Sequence, residues 1–174
     1  MKRLISSALL LLAAQSFALE VTAVSPAKVK DAPSADFTLG QVAVSSVAWT
    51  DDAVVMPFTE NKGRKYTDIK LLTRGIYSKL EACFKNGFTA PAKAPAAPKV
   101  EVSSLKPLRS KARVANAEVT FDGELLVVAG VMASKKEEGS YWVAFPPQLS
   151  FASPAFKSAV ESAVIAAWAK KGKK

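Results

Sequence analysis

A strand-rich stretch in the second half of the chain constrains the fold most. It covers residues 117–147 and holds three apolar runs separated by two turn signals. The first signal is Asp122-Gly123, which favours a two-residue hairpin because both central positions need a positive φ. The second is a charged loop that ends in Gly139. A proline pair terminates the third run because proline has no N–H for a strand ladder. The stretch predicts an antiparallel meander.

After the meander the apolar period changes from two to about four, which predicts an amphipathic helix. Ser153 is its expected N-cap and Pro154 its first residue. An earlier stretch has the same pattern, with Thr73 as the expected N-cap and Asn86-Gly87 as the stop. The apolar helix positions are Leu72, Ile76, Leu80, Cys83 and Phe84 in the first helix, and Phe156, Val160, Val164 and Trp168 in the second.

The two halves of the chain carry the same order of elements. In the first half, residues 19–24, 36–39, 42–49 and 53–58 have strand patterns, and a helix follows them. Val100-Glu101-Val102-Ser103 repeats Leu19-Glu20-Val21-Thr22, and the matching helix positions lie about 80 residues apart. A near-constant offset with the same element order indicates an internal duplication.

These patterns predict an α+β chain of two tandem ββββα units, at residues 19–88 and 100–171, each an antiparallel sheet with one C-terminal helix. Residues 89–99 have the Ala, Pro and Lys composition of an extended linker, and residues 172–174 form a basic tail. A unit this small buries a modest core, and an open sheet leaves an edge strand unpaired. We therefore expect the units to pair edge to edge or helix to helix as a pseudo-dimer.

Residues 1–18 have the outline of a secretory signal peptide: a basic start, an apolar core and the small-x-small site Ser16-Phe17-Ala18. We expect cleavage after Ala18 and an exported, periplasmic or secreted product. The alternative is an uncleaved anchor, although the apolar core is shorter than the roughly 20 residues of a bilayer span. No stable membrane span is expected after cleavage.

The composition argues against an enzyme. The chain has no histidine and one cysteine, which removes the commonest general base and any thiolate metal site. Asp51-Asp52 reads as a turn rather than as a catalytic carboxylate pair. We predict no catalytic residue, no metal and no cofactor. Cys83 is expected to be a buried thiol, with a reactive thiol or an intermolecular bridge as alternatives.

The net charge is +9, or +7 without Lys2 and Arg3, and favours polyanionic partners such as nucleic acid, anionic lipid or acidic polysaccharide. The alternative is a soluble protein with a lysine-rich linker and tail. Basic residues cluster between the last strand and the helix of the first unit, where backbone N–H groups of the first helical turn would add to an anion site. The alternative is a solvated loop, and the second unit has no charge in this region. The candidate binding residues are Lys62, Arg64, Lys65, Lys70 and Arg74.

Strand aromatics are a further candidate feature, at Trp49, Tyr141, Trp142 and Phe145. Stacking platforms for single-stranded nucleic acid have this composition, but so does a core. We expect these side chains to pack against the helices and the other unit.

Several short motifs resemble one known family when taken in order. In the first unit they are Phe37-Thr38-Leu39, Val54-Val55-Met56-Pro57, Tyr66-Thr67-Asp68-Ile69 and Thr73-Arg74-Gly75; in the second they are Val119-Thr120-Phe121-Asp122 and Trp142-Val143-Ala144-Phe145-Pro146. Each unit resembles the septation protein SpoVG family, also called stage V sporulation protein G. The resemblance implies a small antiparallel sheet with a C-terminal helix, dimer formation, and binding of DNA or RNA as a regulator.

By that resemblance, this chain would carry its dimer within one polypeptide and use Arg64, Lys65, Lys70 and Arg74 as nucleic-acid contacts. Two features depart from the family: the export signal, since family members are cytoplasmic, and the absence of a Thr-Arg-Gly element in the second unit. The sequence thus predicts a non-enzymatic regulator of the septation or sporulation type. The alternative is an exported protein-interaction or envelope-binding module whose partner binds an exposed sheet edge.

Overall fold

The computed structural model describes residues 18–27, 32–61 and 63–171. It confirms the α+β class, with antiparallel sheets and two helices. The first half comprises β1 (Val21–Pro26), β2 (Ser34–Leu39), β3 (Val42–Thr50), β4 (Ala53–Val55), β5 (Thr59–Asn61), β6 (Arg64–Tyr66), β7 (Ile69–Leu71) and α1 (Arg74–Asn86). The second half comprises β8 (Val100–Pro107), β9 (Arg113–Phe121), β10 (Leu125–Ala133), β11 (Tyr141–Ala144), β12 (Leu149–Phe151) and α2 (Pro154–Lys171).

Local sequence signals determine the turns and helix ends as expected. Asp122 and Gly123 have φ values of 50° and 67°, so the positive φ expected at both positions is confirmed, but the loop between β9 and β10 has three residues, since Phe121 pairs with Leu125. The Thr73 hydroxyl accepts a hydrogen bond from the Ile76 N–H at 3.4 Å, and α1 ends before Gly87, whose φ is 80°. Ser153 caps α2 in the same way, through the Phe156 N–H at 3.2 Å.

Two five-stranded sheets are built from strands of both halves. The first has the order β1-β2-β3-β12, with β4 also pairing β3, and the second has the order β11-β10-β9-β8, with β7 also pairing β10. Strand β7 therefore belongs to the sheet of the second half, and β12 belongs to the sheet of the first half. The pairing of the two units, expected edge to edge or helix to helix, is instead a reciprocal exchange of strands.

The exchanged strands were not expected from the sequence, which predicts four strands per unit. Each half has a further three-residue strand directly before its helix, β7 or β12. Three residues are too few to display an alternating pattern, so their pairing depends on the sheet that receives them. The segment between the last predicted strand of the first half and its helix also differs from the prediction, since it contains the paired strands β5 and β6.

One continuous apolar core joins the two halves. Its largest members are less than 2% exposed and come from both sheets and from the first helix: Phe37, Leu39, Val42, Val44, Val47, Ile69, Ile76, Leu80, Val119, Phe121 and Leu125. Val160 and Val164 of α2 are fully buried in the same cluster. The linker thus separates the two units along the sequence, but residues on both sides of it contribute to one core.

Two of the four strand aromatics pack on a helix as expected: Trp49 stacks on Phe84 of α1, and Tyr141 lies edge-on to Trp168 of α2. Phe145 instead contacts Phe151 on β12 of its own half. Trp142 is 52% exposed. Leu72 is also exposed, since α1 begins two residues after it. Within the described ranges, neither helix is long and apolar enough to cross a membrane.

Candidate polyanion-binding surface

The hairpin β5–β6 presents two of the predicted basic residues to solvent. Arg64 and Lys65 lie on β6, where every residue is exposed. The Lys65 ammonium lies 4.5 Å from the centre of the Phe58 ring, a cation–π contact that holds this side chain against the surface. Lys62 falls outside the described residues.

After the hairpin the chain joins the second sheet beside β10. The Asp68 carbonyl accepts a hydrogen bond from the Val128 N–H at 2.7 Å, directly before β7 pairs with β10. Ile69 is buried in the core, so its neighbour Lys70 faces outward with Asp68, two residues before it. Lys70 is exposed and lies on the sheet beside the hairpin.

A polar pocket of about 230 Å³ lies between the hairpin and this sheet face. Thr59, Tyr66 and Asp68 line it from the first half, and Leu108, Arg113 and Asn116 from the second. Asn116 lies between Ala115 and Ala117, both buried in the core, so its side chain points to the opposite face of the sheet. The strand exchange thus brings the β5–β6 hairpin next to β9.

Arg113 and Asn116 give this pocket its chemistry. The Arg113 Nε and the Asn116 Oδ1 are buried and have no hydrogen-bond partner among the described residues. Gly130 makes room for the arginine: a Cβ at this position would lie 2.7 Å from the Arg113 Nε. One unpaired donor and one unpaired acceptor are therefore buried in the side chains that line the pocket, and a phosphate or carboxylate oxygen is the kind of partner that suits the donor.

The structure also adds a second basic segment that the sequence reasoning missed. Arg109 and Lys111 are exposed in the loop between β8 and β9, and Leu108 and Arg113 at its two ends line the pocket against the hairpin. We define the hairpin–loop surface as Arg64, Lys65, Arg109, Lys111 and Arg113. Within the described part of the chain, none of these five cations forms an ion pair within 4.0 Å.

The sequence contains a signal for this segment, since basic residues alternate at 109, 111 and 113. Its position beside the hairpin could not be read from that signal, because it depends on β7 crossing into the second sheet.

Arg74 is the first residue of α1 and does not line the pocket. Its guanidinium carbon is 5.7 Å from the centre of the Tyr77 ring. The anion position expected at this helix end holds a carboxylate of the chain itself: the Thr73 hydroxyl donates to the Glu124 Oε1 at 3.0 Å. That oxygen is also 3.4 Å from where a Cβ on Gly75 would lie. An incoming phosphate would meet the negative charge of Glu124 there.

A different exposed feature follows β11, which forms one edge of the second sheet. Two open grooves, of about 680 and 670 Å³, run beside this strand and α2. Trp142 and Lys157 line both grooves, and Phe145 and Phe151 contribute apolar surface to the larger one.

Cys83 is half-buried beside the core, and burial raises the pKa of its thiol, which lowers the thiolate fraction at neutral pH. Among the residues described, no three His, Cys, Asp or Glu side chains group closely enough to hold a metal ion.

Comparison with known proteins gave no match to a family model, to a curated protein or to a solved structure.

Proposed function

We propose that this chain is a non-enzymatic module that binds an extended polyanion across the hairpin–loop surface. The observation that carries the proposal is that the β5–β6 hairpin and the 109–113 loop, two basic segments from different halves, border the same pocket, and that their described cations form no ion pair within 4.0 Å. The acidic groups on the hairpin and in the pocket lining are Glu60, which pairs in register with Lys65, and Asp68, while Glu118 farther along β9 pairs with Lys106. Five cations against two carboxylates leave this surface positive.

The resemblance to the septation family makes DNA or RNA the polyanion to test first. Arg64, Lys65 and the 109–113 loop would contact phosphates, and Lys70 would extend the contact along the sheet. Tyr66, which is 45% exposed, and Phe58, which is 44% exposed, lie among these cations and would offer faces on which unpaired bases stack. A septation- or sporulation-type regulatory role would follow from such binding in the cytoplasm.

A salt series with four ligands tests the proposal: single-stranded DNA, single-stranded RNA, duplex DNA and an acidic polysaccharide. The double variant Arg64→Gln/Lys65→Gln should weaken binding at every salt concentration. It should also reduce the slope of log K against log salt by about 1.4 to 1.8, since each phosphate contact contributes about 0.7 to 0.9.

The matched control is Lys93→Gln/Lys157→Gln, which removes the same charge from the exposed linker and from α2, the helix on the other side of the second sheet. Equal losses in both double variants would show that only net charge matters and would contradict a defined surface. A flat salt dependence would exclude polyanion binding.

A second candidate function is supported by the β11 edge. An exported interaction or envelope-binding module could take an extended peptide as an additional strand on β11, because edge strands carry unpaired N–H and C=O groups. The exposed Trp142 beside two grooves provides the apolar contact that such a peptide needs. Replacing Val143 with proline would remove one N–H from β11, and Trp142→Ala would remove the contact. If this function is correct, both changes abolish peptide capture and leave polyanion binding unchanged.

A further inference from the structure

The backbone nitrogen of Leu19 is bound to a carboxylate from the other half of the chain. Its N–H donates to the Glu124 Oε2 at 2.6 Å, across 105 residues of sequence. This distance is slightly below the roughly 2.7–3.2 Å that is usual for an N–H···O bond, and a charge on one partner shortens such bonds.

The chain enters the core abruptly at this point. Ala18 is exposed, whereas Leu19 is 2% exposed and belongs to the central cluster. The Leu19 carbonyl accepts a hydrogen bond from the Lys79 ammonium at 2.7 Å, and Lys79 also pairs with Glu20 at 2.8 Å. Both backbone polar groups of Leu19 are therefore held by side chains of opposite charge.

Glu124 is rigidly placed for this contact. It follows the Asp122-Gly123 turn, its N–H donates to the Phe121 carbonyl at 3.0 Å, and its carbonyl accepts from the Leu72 N–H at 2.7 Å. Its two carboxylate oxygens accept from the Leu19 N–H and from the Thr73 hydroxyl. In the described ranges no lysine or arginine forms an ion pair with it, so a half-buried carboxylate has only neutral donors.

We infer that the Ala18–Leu19 bond is a processing site and that Glu124 is the binding site for the α-ammonium that cleavage creates. A peptidase adds water across this bond, which leaves a carboxylate on Ala18 and an amine on Leu19. The amine takes up a proton at neutral pH and lies where the Leu19 N–H already contacts Glu124. The neutral N–H donor of Leu19 thereby becomes an ammonium, which forms a charge pair with the Glu124 carboxylate at the start of the core.

Two independent observations meet at this bond. The sequence places a small-x-small motif at Ser16-Phe17-Ala18, as export peptidases require. In the structure, the backbone nitrogen directly after that motif is the one that donates to the Glu124 Oε2. A boundary one residue earlier or later would put the new ammonium away from Glu124.

The first experiment is expression of the full chain in a host with an export pathway, followed by intact mass and N-terminal sequencing of the purified product. A product that begins at Leu19 supports the inference. A product that retains residue 18, or that begins at any other residue, overturns it.

The second experiment compares melting temperatures in four proteins. Glu124→Gln keeps the shape of the side chain and one acceptor oxygen but removes the charge. The substitution is compared with Glu124 in two chains, one that begins at Leu19 and one that begins with Met followed by Ala18. In the second chain the Leu19 nitrogen remains an amide. Glu124→Gln should lower the melting temperature by roughly 3 °C more in the chain that begins at Leu19. Equal losses in the two chains would overturn the charge pair.

Chemical labelling provides a readout that does not depend on stability. An amine-acylating reagent at neutral pH should modify Leu19 several-fold more slowly with Glu124 present than in Glu124→Gln. The matched control Glu138→Gln removes the same charge from an exposed loop and should leave the labelling rate unchanged. A rate that Glu124→Gln does not change would contradict the assignment.

Discussion

Leu71 of the first half is the register partner of Leu125 in the second half. The reciprocal pair is Phe151 with Val42. Each half therefore completes the sheet of the other, and each exchanged strand leads directly into a helix that packs on the shared core. The arrangement is that of a strand-exchanged dimer contained in one chain.

Neither half should fold stably alone. Residues 100–174 expressed alone would lack β7, which pairs with β10 through Leu125, Leu126 and Val127, and would leave β12 without a sheet. We expect an unfolded chain or a homodimer by circular dichroism and light scattering, whereas the full chain cut within residues 89–99 should elute as one complex. A stable, folded monomer of residues 100–174 would contradict the shared core.

The two helix caps allow a matched comparison. Ser153→Ala should lower the free energy of unfolding by about 1 kcal/mol, the usual cost of removing an N-cap hydroxyl. Thr73→Ala should cost more, because the Thr73 hydroxyl also donates to Glu124 at 3.0 Å and its loss leaves that carboxylate short of a donor. Urea unfolding of both variants measures the difference. Equal costs would mean that the Thr73–Glu124 bond contributes nothing.

Gly130→Ala should change the polar pocket more than the fold. The added Cβ would lie 2.7 Å from the Arg113 Nε, so the arginine must leave its position across β10. Polyanion affinity should fall, with a loss of stability on the order of 1 kcal/mol from the crowding. In the Arg113→Ala background the same glycine change should be neutral or stabilising, because the steric conflict is gone. A double-mutant cycle with no coupling energy would exclude this contact.

Asp122→Asn should stabilise the protein at neutral pH. Burial raises the pKa of the Asp122 carboxyl above 3.8, the Glu124 charge adds to this, and the hydrogen bond from the Lys99 N–H opposes it. Because the pKa of Asp122 is higher in the folded state than in the unfolded state, its ionisation lowers the free energy of unfolding as the pH rises from 3.8 through the folded-state pKa. Asparagine keeps the acceptor oxygen for Lys99 and suits the positive φ of 50°.

The measurement is the melting temperature of Asp122→Asn and of the unmodified chain between pH 3 and 7. The stabilisation should be present at pH 7 and should disappear below pH 3.8, where the carboxyl is protonated in both states. A difference that does not change with pH would assign the effect to turn geometry instead of charge.

Short-range patterns in the sequence were sufficient for the elements with local causes. The Asp122-Gly123 turn, the Thr73 and Ser153 caps and the burial of Ile76, Leu80, Val160 and Val164 depend on a few neighbouring residues, and all were predicted. Leu72 was assigned wrongly to the helix face because it continues the apolar period, although the Thr73 cap starts the helix after it. Trp142 was assigned to the core because strand composition does not show which strand lies at an edge.

The candidate site was predicted only in part. Arg64, Lys65 and Lys70 are exposed as expected, but their partners Arg109, Lys111 and Arg113 come from the other half. Arg74 does not line the pocket, and it begins a helix whose N-terminal end already holds the Glu124 carboxylate. Separation along the sequence does not show this difference, since Arg74 is 9 residues from Lys65 whereas Arg113 is 48 residues from it.

By itself, the sequence determined the α+β class, the duplication and the local turns and caps, because each arises from contacts within a few residues or from a repeated pattern. The tertiary structure alone decided the strand exchange, the shared core and the meeting of the two basic segments. Three-residue strands such as β7 and β12 have no intrinsic preference strong enough to specify a partner. Their position is set by the sheet edge and the core that they complete, and those form only when both halves are folded together.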